Sequence, residues 1–160
     1  MTKKAVTVQQ PGARDGRIER MLDRLPDFSA DALLILDLKN IRYLSGFSGS
    51  DGALFIGRGR RALLVDGRYT TQAREETSHL EVLEYREKIE GLAGVLENGR
   101  PLTVGFEAAA MTVETHMKLT DRLKNTAIRP LPETFRTIRA VKTEEELDRI
   151  STAAAIASRA

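Results

Sequence analysis

The chain has 160 residues, the size of one compact domain or one domain with a short appendage, and its 41% hydrophobic and 30% charged content excludes wholesale disorder. Twenty-five Lys and Arg against 23 Asp and Glu leave a formal charge of +2, interspersed along the chain, which is no nucleic-acid footprint. Without Cys and with two His, disulfides, thiolate metal sites, cysteine nucleophiles and a histidine-rich metal centre are excluded, and no apolar run approaches the roughly 20 residues of a membrane span. The first ten residues, MTKKAVTVQQ, lack a signal-peptide apolar segment, so the expected compartment is the cytoplasm.

Residues 1–15 are polar, contain Pro11-Gly12, and read as a disordered leader. RIERMLDRLP then sets Ile18, Met21, Leu22 and Leu25 at i, i+3, i+4 and i+7, a short amphipathic helix closed by Pro26. DALLIL, residues 31–36, is a continuous apolar run that predicts a strand covered on both faces. NIRYLSGFSGSDG predicts a short turn of helix and then an irregular loop carrying Gly46, Gly49 and Gly52. Residues 52–57 and 60–66, joined around Arg58-Gly59, read as a β-hairpin. Asp66 stands where it could cap a helix running through GRYTTQAREE.

LEVLEY (80–85) predicts a strand, KIEGLAGVLEN a helix ending near Gly99-Arg100-Pro101, and LTVGFE (102–107) a further strand. In TVETHMKLTDRLKN, Val113, His116, Met117, Thr120 and Leu123 share one helical face. A weak strand around AIRPL and a helix over PETFRTIRA follow. Thr143 and Glu146 form a capping box, and three consecutive Glu complement the helix dipole there. The helix they open carries Leu147, Ile150, Ala154 and Ala157 and stops without a C-cap Gly or Pro, so the chain is expected to be the front of a longer protein. Together these elements predict an α/β three-layer domain with a mixed five- or six-stranded sheet and helices on both faces.

The Gly/Ser-rich loop 45–52 follows a buried strand, where α/β sheets bind ligands. It lacks the spacing and the Lys of a phosphate loop, and Gly46-Phe47-Ser48-Gly49-Ser50 is not a nucleophile elbow. Gly57-Arg58-Gly59 lies inside the hairpin and is no dinucleotide fingerprint. Asp37, Asp51, Asp66 and Glu107 fall near strand ends; a two-metal nuclease would need such carboxylates to converge, while helix capping and turns explain Asp37 and Asp66 equally. His116 is expected to be partly buried and His79 exposed, and Arg58, Arg60 and Arg61 to form a solvated hairpin tip. No catalytic constellation and no metal-ligand set is complete.

The stretch Asn40-Ile41-Arg42-Tyr43-Leu44-Ser45-Gly46-Phe47-Ser48-Gly49-Ser50, after DALLIL, resembles the N-x-x-Y-L-[ST]-G-F-[ST]-G-S pattern of the creatinase/prolidase/aminopeptidase P family. RRALLVDGRYTTQA resembles that family's strand ending in D-x-R-Y, VGFEAAAMT its G-[FV]-E segment, and FRTIRAVKTEEELDRI its junction into a catalytic domain. The resemblance covers roughly residues 17–157.

It implies a ribonuclease-H-like N-terminal domain over residues 16–141, and over 142–160 the start of the first helix of a C-terminal pita-bread domain. Two Asp, one His and two Glu of that missing domain would hold two divalent ions (Mn, Co or Zn) and hydrolyse Xaa-Pro peptides. None of the five has a counterpart here, so this chain is expected to be inactive alone. The implied role is assembly, as a homodimer and against its own catalytic domain, and shaping of the site for short proline-containing peptides, with no nucleic acid and no membrane as partner. Arg42, Tyr43 and Phe47 would be the residues presented to substrate, Phe47 at a loop tip with few packing partners. Tyr43 reads equally as an anchor for that loop. The alternative is a peptidase-like domain without activity that binds a protein or peptide, as in the large subunit of the nucleosome-handling FACT complex.

Overall fold

Strand β1, Ala32–Ile35, is buried at every residue. The computed structural model, which describes residues 13–97, 102–131 and 139–159, places it inside a six-stranded sheet. The other strands are β2 (Ala53–Gly57), β3 (Arg60–Asp66), β4 (Glu81–Tyr85), β5 (Leu102–Glu107) and β6 (Thr126–Leu131). Their spatial order is β4-β3-β2-β1-β5-β6. Only the hairpin strand β2 runs against its neighbours, pairing antiparallel with β1 and β3; the pairs β1–β5, β3–β4 and β5–β6 are parallel. The sheet is therefore mixed, and the carboxyl ends of five strands share one edge.

The pleat sorts the apolar residues into two layers. Leu33 and Ile35 join Leu54, Ile56, Leu63 and Val65 beneath helices α1 (Ala13–Asp23), α2 (Leu38–Ser45) and α3 (Thr70–Glu76). Ala32 and Leu34 face the other way, with Phe55, Leu64, Val104 and Phe106, beneath α4 (Lys88–Leu96) and α5 (Val113–Arg122). The expected stripe Ile18, Met21, Leu22 and Leu25 is buried throughout. A last helix, α6, spans Glu144–Ala157, opens on the Thr143–Glu146 capping box, and buries none of its residues. No helix among the described residues is long and apolar enough to cross a membrane.

Several local expectations are corrected. Helix α1 begins at Ala13, inside the segment read as leader; the rest of that leader, residues 1–12, lies outside the described residues. So do residues 98–101, near which α4 was expected to end, and 132–138, most of the expected helix PETFRTIRA. The apolar spacing picks out the inward face of α5 only in part: His116, half-buried as expected, tilts against Phe106 at 5.3 Å and Leu123 packs on the core, but Val113 and Met117 are 77% and 60% exposed, and the buried residue is Leu119. Two helix residues with large side chains suffice because α5 covers the sheet beside α4, which already supplies Leu92, Val95 and Leu96. His79 is half-buried instead of exposed.

Candidate functional site

All four stretches that carry the resemblance contribute residues to the carboxyl edge of the parallel strands, where open α/β sheets hold their sites. Glu107, the last residue of β5, is buried, and its Oε2 accepts the backbone N–H groups of Leu36 (2.7 Å) and Asp37 (2.8 Å) just past β1. Its other oxygen accepts from the Asn40 side-chain amide, whose own oxygen accepts from Arg139 Nη1 at 2.8 Å. Burial pushes the Glu107 carboxyl up, and the donors from Asp37, Asn40 and Leu36 oppose that shift. Asp37 caps α2 through Lys39 N (2.7 Å) and Asn40 N (3.3 Å).

Gly46 ends α2 with φ 85°, a left-handed C-cap in which glycine carries no Cβ penalty. The chain then turns inward. Phe47 is 1% exposed and meets Tyr69 edge-on, ring centroids 6.0 Å apart at 89°. A Cβ at Gly49 would fall 2.2 Å from Phe47 Cζ, and one at Gly52 would lie 3.3 Å from Phe47 Cε1. The glycines are there to let a ring lie under the loop. The expected exposed loop tip is thus corrected: Phe47 belongs to the core, because a ring this apolar gains more under the glycines than in water.

Polar bonds fasten the same loop from above. Ser48 donates from its backbone N (2.7 Å) and Oγ (2.6 Å) to Glu76, and Gln72 donates to Ser48 Oγ at 2.9 Å. Ser50 Oγ and Tyr69 Oη are 2.5 Å apart. Asp51 accepts from Lys88 Nζ at 2.5 Å and from the Tyr85 hydroxyl. Hydrogen bonding by Ser48 holds the Glu76 carboxyl below its usual range, and burial beside Asp51 pushes the Tyr85 hydroxyl up. Asp66 does not cap α3, which starts without a side-chain cap. Its Oδ1 accepts Arg68 N (2.8 Å), and its carboxylate forks with the Arg68 guanidinium, which holds its carboxyl low.

The residues expected to meet substrate therefore have three different settings. Arg42 is exposed on α2, close enough to Glu76 to help depress its carboxyl. Tyr43 is half-buried under Arg17, and Phe47 is core. The strand-end acids are engaged one by one, Asp37 as a cap, Asp51 with Lys88, Asp66 with Arg68 and Glu107 with Asn40. Among the described residues no group of three or more His, Asp or Glu could hold a metal ion, so the nuclease reading finds no ligand set there. The arginines of the hairpin tip are not simply solvated: Arg60 forks with Glu81 (2.7 and 3.0 Å) and Arg61 pairs with Glu19. Sequence reasoning assigned no role to Arg17 or Arg139, although Arg139 lies in the junction stretch FRTIRAVKTEEELDRI; their partners stand 129 and 99 positions away along the chain.

Comparison with known proteins agrees with this geometry. The family model described as the creatinase/prolidase N-terminal domain matches residues 17–141. A curated relative, an uncharacterized peptidase YqhT of Bacillus subtilis (strain 168), is 29% identical over 142 residues, 88% of this chain; the chain spans only 40% of that relative's length. Among solved structures, the N-terminal domain of the cytoplasmic peptidase PepQ from Mycobacterium tuberculosis H37Rv is 36% identical, with a TM-score of 0.71 over 77% of this chain and 98% of that one. The Xaa-Pro dipeptidase from Bacillus anthracis shares the fold at 21% identity, with a TM-score of 0.77 over 84% of this chain and 38% of that one. The stretches around Asn40, Asp66 and Glu107 thus sit at the carboxyl edge of a sheet of known type, and the chain belongs to the creatinase/prolidase N-terminal domain family.

Proposed function

We propose that this chain is the non-catalytic N-terminal domain of a metal-dependent Xaa-Pro dipeptidase or aminopeptidase, acting in assembly and in shaping the peptide site. Residues 16–141 form that domain, and 142–160 open the first helix of a catalytic domain carried by the rest of the protein. The two divalent ions that the family resemblance implies would be held by that other part. The observation that carries the reading is the bracing of loop 45–52 from both sides, with Phe47 below and the Glu76–Ser48 and Tyr69–Ser50 bonds above. A loop held in this way presents its neighbours on α2 in one geometry, as substrate positioning requires.

In this reading Arg42 meets the terminal carboxylate of a short peptide, the anion its planar fork suits best. Tyr43 and Phe47 support the loop from inside. The test is steady-state hydrolysis of an Xaa-Pro dipeptide by the full-length protein with Mn²⁺ supplied. Arg42→Ala is expected to lower kcat/KM by about tenfold, mainly through KM, with the melting temperature unchanged. An unaltered KM would remove Arg42 from the site.

A further inference from the structure

We infer that Arg17 and Arg139 are positioning residues, two polar struts that hold helix α6 in one orientation over the sheet domain. The inference concerns the described chain itself and does not depend on the peptidase reading; only its use, setting the direction in which the chain continues past α6, does.

Helix α6 has no buried residue to fix it. Leu147 and Ile150 are 54% and 52% exposed, so apolar packing does not set its direction. What ties this region back is directional. Arg17 Nη2 donates to Glu146 Oε1 at 2.7 Å, Arg17 Nη1 donates to the Tyr43 carbonyl at 2.8 Å, and the guanidinium lies 4.3 Å over the Tyr43 ring. One side chain thus joins α1, α2 and α6. Its ion pair is sheltered, with side chains 18% and 23% exposed, against 78% and 70% for the Arg149–Glu145 pair within α6. Sheltered pairs are screened less by salt, and a stacked, forked arginine leaves little rotational freedom.

Glu146 is the residue through which a strut can steer the whole helix. Its Oε2 accepts Thr143 N at 2.9 Å in the capping box, so the oxygen pulled by Arg17 belongs to the side chain that nucleates the first turn. The second strut grips four residues before that cap: Arg139 donates to Asn40, and Asn40 donates to the buried Glu107 of β5. The region is therefore held at two points, one leading to α1 and α2 and the other into the sheet. A hollow of about 310 Å³ lies between them, lined by Tyr43, Arg139, Lys142, Glu146, Arg149 and Ile150.

The sequence has no Cys, so two introduced cysteines take spin labels site-specifically. Ser78 and Ala154 are both exposed; with Ser78→Cys and Ala154→Cys in the full 160-residue chain, pulsed electron–electron double resonance reads the distance between α6 and the domain. The parent is expected to give a single narrow distribution. Arg17→Ala combined with Arg139→Ala should broaden it roughly twofold or more as α6 samples many orientations, while the sheet's circular dichroism persists. If that double variant fails to fold, Glu146→Gln reads the Arg17 strut from the helix side, because Gln still serves at the third position of a capping box; it should broaden the distribution too. A parent distribution that is already broad, or a variant as narrow as the parent, overturns the proposal.

Discussion

Replacing Phe47 by alanine tests the central structural statement about the loop. A buried phenylalanine removes on the order of 150–200 Å² from water, and at about 25 cal/mol per Å² that corresponds to roughly 4–5 kcal/mol as an upper value. The edge-on contact with Tyr69 is included in the loss and is worth about 0.5–1.5 kcal/mol of it. Against this, the loop above the ring carries Gly49 and Gly52 and can settle partly into the hole, which shrinks the cavity penalty. The expected cost is about 3–4 kcal/mol, a fall in Tm of roughly 10 °C for a domain of this size. Thermal and urea melts of the purified chain followed by far-ultraviolet circular dichroism measure it. A solvated loop tip would lose next to nothing, so a cost under about 1 kcal/mol refutes the burial argument.

Gly49→Ala puts a methyl group against Phe47 Cζ and should cost about 1–3 kcal/mol, and the same change in a Phe47→Ala background should cost much less; strict additivity of the two would show that the ring does not lie under Gly49. Asp51 gives a pH-dependent prediction. Burial works to raise its carboxyl, but the hydrogen bonds from Lys88 and Tyr85 and the Lys88 charge outweigh it, leaving the carboxyl below its ordinary 3.8. A depressed carboxyl stabilises the fold above its ordinary value, and that contribution is lost as the pH falls through and below 3.8. Asp51→Asn should therefore lower Tm at pH 7 and flatten the fall of Tm between about pH 5 and pH 3; curves that stay parallel would contradict the assignment.

What the sequence determined by itself is what a few neighbouring residues decide. The apolar run 31–36, the turn at Arg58-Gly59, the stripe from Ile18 to Leu25 and the Thr143–Glu146 box each carry their physics within about one helical turn or one hairpin, and each was legible. The mixed sheet followed from the order of such pieces, and the motif around Asn40 from residue identity alone. Tertiary structure decided whatever depends on a partner far along the chain. Phe47 reads as a loop residue until Tyr69 stands beside it; Val113 and Met117 share a helical face with His116, yet of the three only His116 turns toward the sheet. Asp66 reads as a cap until the following turn gives it Arg68 instead of a helix end, and Arg17, which no sequence pattern singles out, becomes a tie between helices once Tyr43 and Glu146 stand around it. The physical reason is common to all four: burial and directional bonding depend on distances in space, and spacing along the chain reports those distances only within a single element.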